Sequence, residues 1–575
     1  MKKIFYIVFA AVGLLTFASC SDSDFDERYA DPSKTSTVGV PQVFTGVLQA
    51  GNTWMNPTYW RYYTQSPTSG FFSGVIGNAN DRGRFRGISE GYVNIRWKDF
   101  YNMLTQYRVL EETYNNLAED QQAANKIFLL LGRTVVEAQL HEMLSLFGDV
   151  PFNGCGRLWK DGDYAGAKNA AVYDDDVALY TQILTDLKEV GDFFAAGNIS
   201  AIGLASLGRQ DYTAAAGSAD IWQRYVNSLR LRIALHLATN GDLAATAKSA
   251  IAEILNNPTK YPVIETNAQN MGVNADTHTD TFNYGKGTAQ ALAGRGEGAG
   301  SQAMLDAMHV PANGIPDANT DPRIAAIYDC NPDGEYVAYD NRLVSSEISK
   351  IADDKNKEYL ERDAQLHANY YCYIDSIAFA GWKEYQGNAN LNGIWINAAE
   401  VALSKAEAYL MGYGVTANAE TAKKNFIDGV ALSNEYYWNM KTSSSLHKAG
   451  NDSYNGFREL TVPTKDDFTA YAEKIWDASQ RVIATQLWLN FGFMNELEAW
   501  NVNRRTGFPN VKFARDTQQN DYPTPPHRLP YPTDEYTYNK DNFNVAVNAN
   551  CGGDNTLGGY YTKLFWAKDN YYSLY

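Results

Sequence analysis

Three groups of residues in this sequence have types and spacing that could do chemistry. Gly294-Arg295-Gly296-Glu297-Gly298-Ala299 carries the GxGxxA spacing that cradles a pyrophosphate where a strand turns into a helix. Here it lies in a polar, Gly-rich stretch and reads as a turn. His141-Glu142 begins a zinc-protease pattern, but the second histidine is missing and the pair sits in an amphipathic helix, so it reads as surface or packing polarity. Asp276, His278 and Asp280 alternate in a loop and could touch a metal; loops rich in Asp and Thr are common, and no metal is assigned. No GxSxG elbow occurs, and the acids are too scattered for a glycosidase pair, which is defined by separation in space. No catalytic residue and no cofactor is assigned.

Stacking chemistry is better supplied. Aromatics make up 13% of the chain, with 39 tyrosines and 12 tryptophans in loops as well as on helices, and rings with one wet edge suit sugar faces or a protein partner. Trp54, Tyr59, Trp60, Tyr62 and Tyr63 could line a ligand surface, but Tyr59 and Tyr63, four apart, read in preference as a helix face in the core. Trp382 and Tyr385, three apart and followed by Gly387-Asn388-Ala389-Asn390, combine rings with amides. From Phe71 to Gly91, glycines alternate with Asn78, Asn80, Asp81, Arg82, Arg84 and Arg86, which predicts an exposed loop of amides and guanidiniums.

These loops need a scaffold, and the sequence supplies helices. Ala399, Leu403, Ala406 and Leu410 recur at three- and four-residue spacing, while Glu400, Lys405 and Glu407 leave that face. After Gly412-Tyr413-Gly414 a second stripe runs from Ala419 to about Ser433, making a helical hairpin of tetratricopeptide type. A first hairpin is predicted from the stripe Trp97 to Leu117 and its partner Asp120 to Phe147, stopping at Gly148. A helix after Tyr173-Asp174 should pair with Ile221–Leu237. Val38–Ser66 reads as helix in two pieces broken near Gly51 and Asn56-Pro57, Glu265–Ser301 as a stretch without helical period, Tyr370–Ile377 as strand-like, and Phe468 to about Asn501 as the last helical region.

Lys2 and Lys3, the apolar run Ile4–Phe17 and then Ala18-Ser19 form a secretory signal too short for a stable span. Cys20 directly behind it looks like a bacterial lipobox, with Phe17 where leucine is usual, so Cys20 is the expected lipidation site. The acidic tether Ser21–Glu27 resembles a surface-export signal of Bacteroidetes lipoproteins. The formal charge is -17, more negative once the two lysines leave, which disfavours nucleic acid and anionic lipid as partners. Cys155, Cys330, Cys372 and Cys551 show no CxxC spacing; disulfides are permitted but not specified.

A set of short motifs then falls in one order along the chain. Gly132-Arg133, Leu140-His141 and Leu146-Phe147-Gly148-Asp149-Val150-Pro151-Phe152 come first, followed by Tyr173-Asp174, Trp222 with Asn227–Ala234, and Asp321-Pro322-Arg323. Ala399-Glu400-Val401 with Ala406-Glu407-Ala408, Glu498-Ala499-Trp500 with Arg504–Pro509, Arg528–Pro532 and Thr562–Trp566 complete it. The ordered set resembles the SusD/RagB family of outer-membrane nutrient-binding lipoproteins. The resemblance implies a mainly α fold of tetratricopeptide-like hairpins with large loop-rich insertions. Its expected organisation is signal peptide 1–19, lipidated tether 20–40, and one SusD-like helical domain 41–575 with insertions around 265–395 and 505–575.

The implied function is a cell-surface, lipid-anchored outer-membrane protein, not an enzyme, that binds oligosaccharide or polysaccharide and delivers it to a SusC-like TonB-dependent transporter. A peptide binder of the same fold and a secreted glycan-degrading enzyme are the alternatives. The family's binding loops vary, so ligand candidates are placed by location: Asn80, Arg82 and Arg84; Tyr284; and Trp382, Tyr385 and Asn388. Arg504 and Arg505 beside Trp500 are read as fold determinants.

Overall fold

A computed structural model describes residues 38–77, 85–86, 90–239, 241–275, 282–293, 298–362, 369–379, 387–447, 461–516 and 522–575. The signal, Cys20 and the tether lie outside these residues. None of the described helices is long and apolar enough to cross a membrane.

Helix α1 (Val40–Met55) carries Pro at its first turn, where no intrahelical N–H is needed, and runs without a break through Gly51. The expected break there is corrected by packing: a Cβ on Gly51 would sit 2.9 Å from the Met103 methyl, so the glycine lets two helices approach. The break at Asn56-Pro57 does occur, and α2 (Tyr59–Gln65) follows. The segment expected to be an exposed Gly-rich loop is corrected too, because Phe71, Phe72, Val75, Ile76 and Phe85 are all buried. Hydrophobic residues between the glycines anchor it, whereas Asn80, Arg82 and Arg84 lie outside the described residues.

Helices α3 (Glu90–Asn115) and α4 (Glu119–Phe147) form the predicted first hairpin, and both pack on α1. Gly148 ends α4 at φ +72, a conformation costly for any residue with a Cβ, and its N–H donates to Leu144 O at 3.0 Å. The chain then forms β1 (Val150–Pro151), antiparallel to β2 (Tyr173–Asp174), before α5 (Asp176–Ala195). Asp149 ties this corner, accepting from Asp176 N at 2.9 Å and from Asn550 Nδ2 at 2.8 Å.

Burial, with Asp149 and Asp175 nearby, pushes the Asp176 carboxyl up to about 7. A carboxyl whose folded pKa exceeds its unfolded one stabilises fully below the unfolded value and loses that contribution as pH rises through about 7. Asp176→Asn is therefore expected to stabilise the protein at pH 8, by on the order of 2 kcal/mol, with the gain vanishing near pH 4. Denaturant titrations of both forms at the two pH values check it; an equal difference at both would remove the electrostatic cause.

Helix α6 (Ala201–Gln210) leads to α7 (Ala219–Leu237), which packs on α5 as expected, and α8 (Ala244–Asn256) packs on α7. The stretch read as without helical period holds β3 (Met271–Val273) and the single turn α9 (Tyr284–Thr288). Strands β4 (Tyr328–Asp329) and β5 (Tyr373–Ile374) pair antiparallel, as do β3 and β6 (Gly393–Ile396). Of the strand-like run Tyr370–Ile377, only β5 is strand.

The central hairpin is α10 (Ala398–Met411) and α11 (Ala419–Thr442), the latter extending well past Ser433. Asn397 caps α10, accepting from Glu400 N at 2.9 Å, and Gly412 closes it at φ +66. Gly429 sets the helix separation, since a Cβ there would lie 2.7 Å from Leu403 Cγ and 3.1 Å from Leu403 N. Gly429→Val is expected to force the hairpin apart and cost about 1–3 kcal/mol, measurable as a lowered denaturation midpoint.

Glu400 and Glu407 do leave the hairpin face, yet both are buried, because the other side of α10 packs on α7 and on a further helix. The last helical region consists of three helices, α12 (Lys465–Ile475), α13 (Gln480–Phe491) and α14 (Glu496–Thr506). Ser479 and Asn495 start the later two as N-caps, accepting from Val482 N and Glu498 N. Strand β7 (Val511–Phe513) pairs in parallel with β8 (Tyr572–Leu574) and brings the C-terminus back to the helices. One buried apolar cluster runs through the described chain from Val40 to Tyr571. Among the described residues no disulfide forms.

Candidate ligand-binding surface

Helix α2 divides its aromatic residues by face. Thr58 caps it, accepting from Arg61 N at 3.3 Å and donating to Thr53 O at 2.6 Å. The inward face is polar and pinned: Arg61 donates to Met55 O at 2.9 Å, Gln65 Oε1 at 3.2 Å and Asn495 Oδ1 at 3.1 Å, while Tyr62 is buried against Met494. The bonds of Arg61 to Met55 O and Asn495 Oδ1 and the burial of Tyr62 thus fix the rotation of a helix only two turns long. That rotation sends Trp60 outward, 41% exposed, with Tyr59 and Tyr63 half-buried beside it.

The rings form one surface with Tyr92 from the first turn of α3. Centroids are 5.3 Å apart for Tyr59 and Trp60, 5.2 Å for Tyr59 and Tyr63, 6.1 Å for Trp60 and Tyr92, and 4.5 Å for Tyr63 and Tyr92. Tilted and edge contacts of this kind are favourable for the ring quadrupoles and hold each ring in place. The sequence placed Tyr59 and Tyr63 in the core; they pack against its margin, and the residues wholly inside are Trp54 and Tyr62.

Behind this surface the middle insertion meets the segment before the central hairpin. A Cβ on Gly287 would lie 2.8 Å from Tyr59 N, and one on Gly285 would lie 2.0 Å from Asn388 O, so α9 is wedged between α2 and residues 387–391. Tyr284 is buried and donates to Asn52 Oδ1 at 2.9 Å, and Asn56 Oδ1 accepts from Trp395 Nε1 at 3.1 Å in the same network. Asn388 is also buried: its amide donates to Ala378 O at 2.9 Å and its Oδ1 accepts from Asn390 N at 2.9 Å and Ser445 N at 3.1 Å. Both side chains, expected among ligand contacts, are engaged internally and brace the loop bases. Asn388 N donates to Phe379 O at 2.9 Å, so the chain leaves and re-enters at a single point beside α9. Trp382 and Tyr385 lie between, outside the described residues.

The residues assigned to the fold behave as expected. Arg504 stacks on Trp500, with its guanidinium carbon 3.6 Å from the ring centroid, and donates to Ser145 O at 2.9 Å and His527 O at 2.7 Å. Arg505 forms a bidentate pair with Glu407, both contacts 2.7 Å. A separate cavity of about 420 Å³, between residues 302–309, 340–342, 481–486 and 508–512, is edged by Asp306, Asp340, Arg342, Arg481 and Lys512. Its rings are His309 and the half-buried Phe508, without a cluster of the kind on α2, and its charges are partly paired, Arg342 with Asp340 at 2.8 Å.

No curated protein matches this sequence. Among solved structures, a chitin-binding protein is 18% identical over 91% of this chain and 100% of its own, with a TM-score of 0.66. A chitin-binding SusD homologue from Flavobacterium johnsoniae gives 17% identity, 91% and 98% coverage and a TM-score of 0.62. A SusD homologue from Bacteroides uniformis gives 19%, 92% and 99%, and 0.60. These similarities are of fold, and the helical hairpins inferred above are shared along nearly the whole of each chain. In sequence, the SusD-like family described as "Starch-binding associating with outer membrane" matches residues 64–532. With that match spanning most of its length, from the aromatic helix to the C-terminal loops, the chain belongs to the SusD-like family.

Proposed function

We propose that this protein is a cell-surface lipoprotein that binds an oligosaccharide or polysaccharide and passes it to a TonB-dependent outer-membrane transporter. The observation that carries the reading is the outward aromatic surface of Trp60, Tyr59, Tyr63 and Tyr92, pinned from behind by buried hydrogen bonds. A pyranose presents C–H groups on its faces and hydroxyls round its rim. Fixed rings take the faces, and neighbouring amides and guanidiniums take the rim. The family description and the chitin-binding names of the structural relatives support a glycan as the ligand class. Cys20 supplies the lipid anchor in this reading, and the acidic tether spaces the domain from the membrane.

Trp382 and Tyr385 are proposed as further ring contacts, carried on the segment whose two ends meet beside α9, with Asn80, Arg82 and Arg84 as rim contacts. Calorimetry of the soluble form beginning at Ser21, against polysaccharides, oligosaccharides and peptides, tests the reading. Binding to one glycan class, weakened about tenfold by Trp382→Ala, is the expected result. Binding to peptides alone would replace the substrate class, and turnover of a bound glycan would replace the non-catalytic role. Co-purification of a barrel transporter with the lipidated protein tests delivery.

A further inference from the structure

Deep in the scaffold, far in sequence from the loops, three helices bring together two imidazoles and a carboxylate. His141 comes from α4, His236 from the last turn of α7 and Glu498 from the first turn of α14; all three are buried. Their ligand-type atoms lie within 4.8 Å of one another, and His141 Nε2 is 3.0 Å from Glu498 Oε1. We propose that these three side chains form a structural site for a zinc-like divalent transition-metal ion that fastens α4, α7 and α14.

Two imidazole nitrogens and one carboxylate oxygen are a donor set that zinc takes with water in the fourth place; in enzymes that set leaves the ion open to substrate, whereas here all three donors are buried, so the ion would serve to join helices. Tetrahedral zinc with bonds of about 2.0–2.2 Å puts neighbouring donors roughly 3.4 Å apart. His141 Nε2 and Glu498 Oε1, at 3.0 Å, are already closer than that, and donors separated by as much as 4.8 Å would have to close up as the ion binds. His236 Nε2 is buried with no hydrogen-bond partner among the described residues, an unmet acceptor or donor in the interior.

The surroundings orient the donors. Tyr180 OH lies 3.2 Å from His141 Nδ1, which directs the other nitrogen toward Glu498, and His236 is held against Trp566 with centroids 3.9 Å apart. The nearby cations are largely answered, Arg232 by Glu400 at 2.5 and 2.6 Å and Arg505 by Glu407 at 2.7 Å. Arg504 is held by neutral oxygens instead.

The test uses the full-length protein, unfolded with chelator and refolded with or without zinc or cobalt(II), because a site this buried fills as the chain folds. About one equivalent of metal retained through dialysis, a ligand-field absorption in the cobalt form, and an anomalous-scattering peak among the three side chains at the zinc edge are expected. Glu498→Gln, near-isosteric, should cut retention at least tenfold with unchanged circular dichroism. No stoichiometric metal in the wild-type protein after refolding with zinc would overturn the proposal. Metal bound equally by Glu498→Gln, or located elsewhere by anomalous scattering, would also overturn it.

Discussion

Replacing Arg505 alone with leucine is expected to destabilise the protein by about 3–5 kcal/mol, whereas replacing Arg505 and Glu407 together should restore most of the loss. Both side chains are buried, Glu407 completely, and they meet through two contacts of 2.7 Å between α14 and α10. Gln480 Nε2 adds a third donor to Glu407 Oε1 at 3.0 Å. Without Arg505 the carboxylate keeps only that amide and must remain desolvated or take up a proton. Two apolar residues of similar volume avoid both costs, since the attraction of a buried pair does little more than offset its own desolvation. Chemical denaturation of the two variants beside the parent protein decides this. Equal losses in Arg505→Leu and the double variant would show that packing of the stems, not charge, joins the two helices.

Trp60→Ala is expected to weaken glycan binding by about 2 kcal/mol, roughly 30-fold in Kd, with little change in the denaturation midpoint. The ring is 41% exposed and packs edge-on and tilted against Tyr59, Tyr63 and Tyr92, so its removal leaves the pinned face of α2 intact. Trp60→Phe should keep much of the affinity because a flat face remains. Trp54 provides the contrast: it is buried, and its indole N–H donates to Asp99 Oδ2 at 2.9 Å, so Trp54→Ala should act on stability first. Calorimetry beside a denaturation curve for each variant separates the two effects. An unchanged Kd in Trp60→Ala would move the ligand away from this surface.

Much of the helical scaffold was legible because its signals are local. The stripe on α10, the stop at Gly148, the Asn56-Pro57 break and the pairing of consecutive helices each depend on residues within a few positions of one another. The ordered motifs carried the family for a related reason. They are caps, close-approach glycines and buried partners, and these recur wherever the same backbone recurs.

Residues whose partners lie far along the chain were not legible. Glu400 and Glu407 read as leaving a helix face, which is true locally, yet Arg232 and Arg505, 168 and 98 positions away, make them interior. His141 read as surface or packing polarity, and only folding sets it against His236 and Glu498. Tyr284 and Asn388 had the composition of a binding loop, but loop composition does not say which side faces inward, and both brace the loop bases. For the aromatic helix a usable clue was present: Trp60 lies two residues from Tyr62, about 200° round a helix, so the two rings cannot share a face. Which of the two would face solvent was settled by Arg61 and Asn495, whose hydrogen bond spans 434 positions. The sequence by itself therefore determined helices, their ends and the family. Only the tertiary structure decided which polar groups are interior and which rings are offered outward, because burial belongs to the whole assembly of helices and no single segment encodes it.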